Sequence, residues 1–313
     1  MFGRLVDVFI RNESGNQIQL VDHLQGDHTL RCDGNIERNP STEVTSLILS
    51  IYNLDGDTRK EIKSGEYKYI IVKWGYKDVD GGELVSLFEG TVQRMITQRP
   101  DAATSVTKFF VWDTGDTKRF GFFSGTFEAN TNLYDAAHFV AKNGEVETKL
   151  ICSENLKKYR LGKAVSYFDN VENILQDLAS AANMLFKVDS GIAYIEDKEE
   201  NENSEVFVYT REDENGKVVS ASGLIGIPTL SDDGMYFEAL VNPRLRIFSL
   251  VQISNSIISN EQEGFVSGAT TGAEFDTNGI YRVVKMSITF TNGAGESKMR
   301  VKTLARNSYS LLV

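Results

Sequence analysis

The side chains that most often carry metal or proton-transfer chemistry are sparse in this sequence. His23 and His28 precede Cys32 closely enough to offer nitrogen and sulfur ligands to a transition metal. Their spacing matches no zinc finger, and the alternation of a strand would divide the three side chains between its two faces. His138 follows Asp135 by three residues on a predicted helix, a geometry that can bind a metal or relay a proton. We favour a solvated ion pair or a position beside the helix cap, so neither group is assigned as a metal site.

Other short motifs also lack the residues that a functional site needs. The Asp-Gly-Asp run at residues 55–57 is like the start of a calcium loop, but the later ligands and the bidentate glutamate are missing. Gly223, Gly226 and the glycines at 268–272 are not followed by the Lys-Ser or Lys-Thr of a phosphate-binding loop. No serine lies in a nucleophile elbow, and no carboxylate pair is singled out by its spacing. The sequence therefore assigns no catalytic, cofactor-binding or metal-ligating residue and predicts a protein that is not an enzyme.

Composition limits the class of protein further. A chain of 313 residues has room for two or three domains, because single cores rarely grow beyond roughly 250–300 residues. The net charge of -11 leaves no broad basic surface for a phosphate backbone, so we expect no specific nucleic-acid binding. Cys32 and Cys152 stand in no metal spacing, and we expect two reduced thiols rather than a disulfide.

The first residues predict a strand rather than a targeting signal. Arg4 and Asp7 interrupt the apolar residues there, and no run in the sequence approaches the ~18 apolar residues of a membrane-spanning helix. We therefore expect synthesis in the cytoplasm and no membrane binding by the protein itself.

Alternation of apolar and polar residues predicts strands over most of the first 120 residues. In the segment Glu43–Tyr52, the residues Leu47, Leu49 and Ile51 share one face, which is typical of a half-buried strand. Thr58–Gly65 follows as a predicted short helical turn. The other strands predicted in this region are Arg4–Ile10, His28–Asp33 and Tyr67–Tyr76.

The middle of the chain changes to helical periodicity. A helix is predicted over Asn132–Gly144, capped by the residues at its two ends. Asp169 and Glu172 have the spacing of a capping box at the start of a second helix. A hairpin is predicted over Met184–Glu196, beside this second helix, and the acidic run Glu196–Ser204 predicts a solvated connector.

The end of the chain repeats its beginning. Residues Phe88–Trp112 can be laid without a gap on Ile280–Leu304, and each stretch predicts a long strand, a polar turn and a return strand. Another extended pair precedes each, over Thr45–Tyr76 and Met235–Ser254. The positions that agree are Val92 with Val284, Ile96 with Ile288, Thr97 with Thr289, Ala102 with Ala294 and Ser105 with Ser297. A duplicated β-unit around an unlike middle indicates a protein that presents two similar surfaces in a ring.

Several segments, taken in their order along the chain, carry a family resemblance. They are Glu43–Leu54, Ile70–Tyr76, Leu87–Val92, Ile174–Val188, Gly226–Thr229 and Phe237–Leu245. In this order they resemble the baseplate hub proteins of contractile-tailed phages and the related hubs of phage-tail-like particles and type VI secretion spikes. The similarity runs through nearly the whole chain, and the duplication strengthens it.

The resemblance implies a mainly β fold with a smaller α/β insertion and two similar β-barrel tube-type domains. We expect the first barrel over residues 1–125, the insertion over 126–204 and the second barrel over 205–313. In such hubs the two barrels alternate around a homotrimer and present six near-equivalent positions, so that a trimeric central spike can join a hexameric tail tube. We expect the ring-forming contacts on the hairpins Thr91–Trp112 and Val283–Leu304.

The resemblance also implies the partners and the location. The partners would be the tail tube protein, the central spike protein and the tape-measure protein, in the tail baseplate of a virion or of a phage-tail-like particle. The negative net charge predicts a lumen that nucleic acid or the tape-measure protein can cross without adhering.

Two other functions fit parts of the sequence. A carbohydrate-binding or receptor-binding tail protein would expose aromatic residues on one strand face, with Trp74 or Trp112 stacking on a sugar. A peptidoglycan hydrolase would depend on an acidic residue that the sequence does not single out.

Overall fold

The computed structural model describes residues 3–39, 44–77, 80–113, 121–189, 191–198, 206–210, 223–231, 234–254, 259–260 and 280–305. It confirms that the chain is mainly β with a smaller α/β part, while the two similar β-barrels stay a prediction. The chain divides into two compact units. Unit 1 comprises Met1–Cys32 and Ser41–Glu200, and unit 2 comprises Asp33–Pro40 and Asn201–Val313.

Six antiparallel strands form the main sheet of unit 1, in the order β2, β1, β5, β6, β7, β4. The strands in this part of the chain are β1 Arg4–Asn12, β2 Gln17–Val21, β3 Cys32–Arg38, β4 Ser46–Tyr52, β5 Tyr67–Tyr76, β6 Val85–Gln98 and β7 Val106–Trp112. Residues 33–38 of β3 belong to unit 2. The alternation predicted for β4 is confirmed, because Leu47, Leu49 and Ile51 are fully buried while Ile48 is exposed.

The predicted helical turn is present as helix α1, Gly56–Lys63. The Asp55 side chain caps it by accepting hydrogen bonds from the backbone N–H groups of Asp57 and Thr58. The chain leaves the helix through Gly65, whose φ of 85° lies in the left-handed region that glycine adopts without strain.

Residues 121–198 form an α/β part of unit 1 with a core of its own. Its elements are β8 Phe122–Phe127, α2 Leu133–Asn143, β9 Lys149–Cys152, β10 Val165–Asn170, α3 Val171–Ala181, β11 Leu185–Asp189 and β12 Ile192–Glu196. β8 pairs with β10, while β11 and β12 form the predicted hairpin and β9 joins β12 in parallel. Val140 of α2, Leu175 and Leu178 of α3, and Ile195 of β12 are completely buried in the shared core. Removing these apolar side chains from water stabilises the contact between helices and hairpin.

The caps of the two helices differ in how well the sequence predicts them. The Asn132 side chain accepts a hydrogen bond from the N–H of Tyr134 at the start of α2, as predicted. At α3 the predicted capping box of Asp169 and Glu172 is wrong. Asn170 is the capping residue and accepts from the N–H of Glu172, because β10 continues through Asn170 and leaves it at the junction of strand and helix. No helix in the described residues is long and apolar enough to cross a bilayer.

The strands of unit 2 follow one another in the order β17, β14, β15, β19, β18, β3, with β16 paired to both β18 and β13. Its remaining strands are β13 Val206–Thr210, β14 Leu224–Ser231, β15 Gly234–Ala239, β16 Leu250–Ser254, β17 Ser259–Asn260, β18 Ile280–Thr291 and β19 Lys298–Ala305.

The strand predicted over His28–Asp33 is wrong. Residues 23–28 form a 3-10 helix, and the strand begins only at Cys32. The Asp22 carboxylate accepts a hydrogen bond from the N–H of Leu24 and so stabilises the helical turn. The strand that follows, β3, pairs antiparallel with β18 more than 200 residues later in the chain. The domain limits expected at residues 125 and 204 stay predictions.

Candidate functional site

A cluster of Asp7, Asp22 and His23 offers metal-ligand atoms within 4.8 Å of one another. Asp7 is 6% exposed, and its Oδ1 accepts a hydrogen bond of 2.8 Å from the backbone N–H of His23. The ring Nδ1 of His23 lies 2.8 Å from the same oxygen. Asp22 caps the 3-10 helix. The contacts between Asp7 and His23 hold that helix against β1. Sequence reasoning missed the contact because Asp7 and His23 are 16 residues apart.

The residues that the sequence singled out do not come together in a site. His28 ends the 3-10 helix and Cys32 is fully buried at the start of β3, and neither joins the Asp7 cluster. The ring of His138 packs on Tyr134 with centroids 4.4 Å apart. The ring Nε2 of His138 has no hydrogen-bond partner among the described residues, and Asp135 lies in the first turn of α2, beside the Asn132 cap.

Gly223 and Gly226 allow backbone conformations with positive φ. Gly223 and Gly226 have φ values of 73° and 71°, and Gly226 lies where the pairing of β14 with β15 shifts, between Ile225 and Thr229. This is the conformation of a turn or bulge rather than of a phosphate loop. The loop 268–272 lies outside the described residues.

The two tryptophans named for sugar stacking differ in how exposed they are. Trp74 has no exposed surface and packs edge-to-face on Tyr76, with ring centroids 5.6 Å apart. The expectation that Trp74 stacks on a sugar is therefore wrong, because a fully buried ring offers no face to a ligand. Trp112 is half-buried.

Cys32 and Cys152, both within the described residues, form no disulfide. Cys32 is fully buried, and burial raises the pKa of the Cys152 thiol to about 12. The Cys152 thiol is therefore not a reactive thiolate near neutral pH.

The β6–β7 and β18–β19 hairpins share one irregularity. In the first hairpin the pairing shifts between Val92 and Arg94, and in the second it shifts between Val283 and Lys285. The residue after each shift, Arg94 or Lys285, is exposed in both hairpins. A β-bulge is a specific local feature that bends and twists a strand. Its presence at matching positions makes the two hairpins structural repeats of one another.

The structural correspondence differs by one residue from the gap-free alignment. That alignment placed Val92 on Val284, but the bulge places it on Val283, and every later position of β6 moves with it. The return strands keep the predicted alignment. The shift arises because the two turns differ in length by one residue. The turn of the first hairpin has seven residues, 99–105, between the last paired residues, and the turn of the second has eight, 290–297.

Strand β3 completes unit 2 with an amphipathic ladder against β18. On the half-buried face, the hydroxyl groups of Ser287 and Thr291 donate to the carboxylates of Glu37 and Asp33, at 2.7 Å and 2.6 Å. On the other face, Gly34 lies opposite Phe290. A Cβ at Gly34 would stand 2.1 Å from the Phe290 ring, so only glycine fits there. Ile36 and Arg38 share this buried face, with 0% and 1% of their surface exposed.

A groove of about 440 Å³ lies on the sheet of unit 2. Its wall includes Ile227 and Tyr236, both partly exposed. Glu238 accepts hydrogen bonds from Lys298 Nζ at 2.9 Å and from Arg300 Nε at 2.7 Å. The bonds from Lys298 and Arg300 hold the pKa of the Glu238 carboxyl below its ordinary value. The groove is thus lined by apolar residues beside a neutralised ion-pair network.

Solved structures with a similar fold include phage tail proteins and a type VI secretion component. The 43 kDa tail protein of prophage MuSo2 from Shewanella oneidensis is 12% identical, with a TM-score of 0.57 over 96% of this chain and 97% of that one. A tail protein from Neisseria meningitidis MC58 is 9% identical, with a TM-score of 0.57 over 99% of this chain and 98% of that one. The Escherichia coli c3393 protein, a type VI secretion component similar in structure to T4 gp27 and gp5, is 8% identical. Its TM-score is 0.54 over 90% of this chain and 75% of that one.

At such identities the likeness is one of fold, and comparison with curated proteins finds no match. A sequence model of one family, the baseplate hub gp41, matches residues 44–265. The match includes β4 to β7, the α/β part and the strands β13 to β17 of unit 2. Since it spans well over half of the chain, this protein belongs to the baseplate hub gp41 family.

Proposed function

We propose that the chain forms a homotrimer in which two similar β-barrel domains per subunit alternate around a pseudo-hexameric ring. The ring joins a hexameric tail tube to a trimeric central spike. The observation that carries the proposal is the matching bulge at Val92/Arg94 and Val283/Lys285. One chain holds two copies of the same hairpin, so three chains hold six, and a closed ring with heterologous contacts is the assembly that uses them equally.

The neighbours of the two hairpins support the same reading. β4 pairs with the return strand β7 in unit 1, and β15 pairs with the return strand β19 in unit 2, both antiparallel. The proposed domains are a first barrel within residues 1–125, an α/β insertion within 126–204 and a second barrel within 205–313. Residues 33–38 add a strand to the second barrel.

The proposed role is structural rather than enzymatic, in the baseplate of a virion or of a phage-tail-like particle. The partners would be the tail tube protein, the central spike protein and the tape-measure protein. Membership in a baseplate hub family and a fold shared with a type VI secretion component support this assignment. Obligate contacts of this kind bury about 2,000 Å² or more in total.

The proposal includes a lumen that repels polyanions. A net charge of -11 would keep nucleic acid from adhering to the channel wall. A map of the assembled ring in which the acidic side chains all lie on the outer rim would remove this part of the proposal.

The test is the symmetry of the assembled protein. The full chain should be studied by mass photometry and cryo-electron microscopy, alone and with the tail tube protein of the same particle. We expect rings of three chains with pseudo-sixfold density, stabilised by the tube protein. Rings of six identical chains, or dimers under both conditions, would contradict the proposal. A glycan array with the isolated chain tests the carbohydrate-binding alternative, for which we expect no binding.

A further inference from the structure

We propose that the edge of β6 formed by Met95–Gln98 accepts a strand from a second copy of this chain, and that the donated strand is β14. The inference deepens the ring proposed above and rests on it. The first strands of the duplicated hairpins, β6 and β18, each have one edge that faces away from the return strand. The inference comes from comparing the strands that pair with these two edges.

In unit 2 that edge is covered in two places. β16 pairs with residues 280–282 of β18, and β3 pairs with Met286–Thr291. In unit 1, β5 pairs with residues 85–91 of β6. When the two bulges are superposed, residue 91 of β6 corresponds to residue 282 of β18. The stretch of β6 equivalent to the β3-paired part of β18 therefore begins at Met95. No described residue pairs with Met95–Gln98 on this edge.

Exposure shows the consequence of the missing strand. Met286 and Ile288 are fully buried in unit 2, whereas the equivalent Met95 and Thr97 are only half-buried. Across the ladder on β7, their partners Phe109 and Thr107 are fully buried, so Met95 and Thr97 are the less covered members of each pair. An open strand edge presents N–H and C=O groups that another strand can satisfy. The contact missing in unit 1 is thus the same contact that β3 makes in unit 2.

Chain order identifies the donor. β3 directly precedes β4, the strand that pairs with the return strand β7. In unit 2 the strand that pairs with the return strand is β15, and the strand directly before it is β14. By the internal repeat, β14 is the counterpart of β3. Since β3 of this chain already covers β18, the acceptor left for β14 is β6 of another copy.

The first half of β14 is open for such pairing. β17 pairs with only Thr229 and Leu230 of β14. On that same edge Ile225–Ile227 has no ladder partner in the part of the chain that the structure describes, and Ile227 is 50% exposed. Each copy would give one strand and take one, which is the head-to-tail contact that closes a ring.

Cross-linking between two singly substituted full-length chains tests the pairing. An Ile96→Cys chain and an Ile227→Cys chain are mixed at a concentration where trimers form and treated with a short bismaleimide. A covalent dimer between the two variants is expected, at least about tenfold above either variant alone, because only a contact between copies joins them. The native background is low, since Cys32 is buried and Cys152 is a poor nucleophile.

Ser86→Cys provides the matched control, because Ser86 lies on the same strand where β5 already pairs with it. It should not cross-link to Ile227→Cys. Hydrogen exchange of the wild-type chain gives a second readout, and those amides within Met95–Gln98 that point away from β7 should slow about tenfold on assembly. Trimers without this cross-link and without this protection would overturn the strand pairing and leave the ring intact. A chain that never forms threefold assemblies, alone or on tubes, would overturn both.

Discussion

Arg38 donates a hydrogen bond from Nη1 to the carbonyl oxygen of Leu245 at 3.0 Å, although the two residues are 207 positions apart. Only 1% of the Arg38 surface is exposed, so the bond is made away from water. Within unit 2 it fastens the end of β3 to the segment that leads into β16. An arginine in this position serves the fold through a specific buried partner rather than through surface charge.

Replacing this arginine should therefore destabilise unit 2. For Arg38→Ala we expect a loss of about 2–3 kcal/mol, because the Leu245 carbonyl loses a charged donor in a buried place. Hydrogen exchange should show faster opening of β18 than of β6. Lys63→Ala, which removes an exposed cation from α1, should change stability by less than about 0.5 kcal/mol. Equal losses in the two variants would contradict the role given to Arg38.

The contact of Gly34 with Phe290 predicts a size-dependent defect. Gly34→Ala places a methyl group 2.1 Å from the ring and should cost about 1–3 kcal/mol, measured by urea denaturation. The double variant Gly34→Ala/Phe290→Leu should recover part of that loss, since leucine leaves room for the methyl group. If the two substitutions are simply additive, the clash is not the cause.

The Glu238 carboxylate predicts a pH dependence of known sign. Its folded pKa is lowered, chiefly by the hydrogen bond from Lys298 and then by that from Arg300. The stabilisation is therefore present above the unfolded pKa and is lost as pH falls through the folded pKa. Glu238→Gln should be less stable than wild type at pH 7 by up to about 1 kcal/mol, and the difference should shrink as pH falls below the unfolded pKa and through the folded pKa. A difference that grows towards acid would refute this assignment.

The start of α3 predicts that two adjacent residues matter unequally. Asn170→Ala should cost about 1 kcal/mol, because it removes the acceptor for the N–H of Glu172. Asp169→Ala should cost less, since its carboxylate bonds to Asn170 N–H and the Asn173 side chain but does not cap the helix. Thermal unfolding of both variants measures the two losses. A larger loss for Asp169→Ala than for Asn170→Ala would support the capping box instead.

The Asp7 cluster predicts indifference to added metal. Asp7 already accepts a backbone hydrogen bond from His23, and Asp22 caps the helix. Zinc should leave the thermal midpoint of the full chain unchanged, whereas Asp7→Ala should lower stability by about 1–3 kcal/mol. A midpoint that rises with zinc in wild type and not in Asp7→Ala would show a metal site instead.

Local patterns in the sequence were enough to predict elements whose stability is local. The alternation of Leu47, Leu49 and Ile51 identified β4, and the Asn132 cap identified the start of α2, because each depends on residues within a few positions. The duplication was visible for the same reason, although a single extra turn residue displaced its register. A gap-free comparison cannot place an insertion within a turn.

Contacts between distant residues could not be predicted in this way. The docking of β3 on β18 joins Asp33 to Thr291 across 258 positions, and nothing near Asp33 encodes that partner. The bond from His23 to Asp7 and the complete burial of Trp74 likewise depend on tertiary packing that overrides local pattern.

The long separation between β3 and β18 sets an order of events during synthesis. Residues 33–38 leave the ribosome long before residues 286–291, the part of β18 that they join. The nascent chain therefore holds β3 without its β18 partner until that strand is made, and closing so large a loop is slow. Truncated chains that stop before β18 would leave β3 without this partner. Premature termination should therefore promote aggregation.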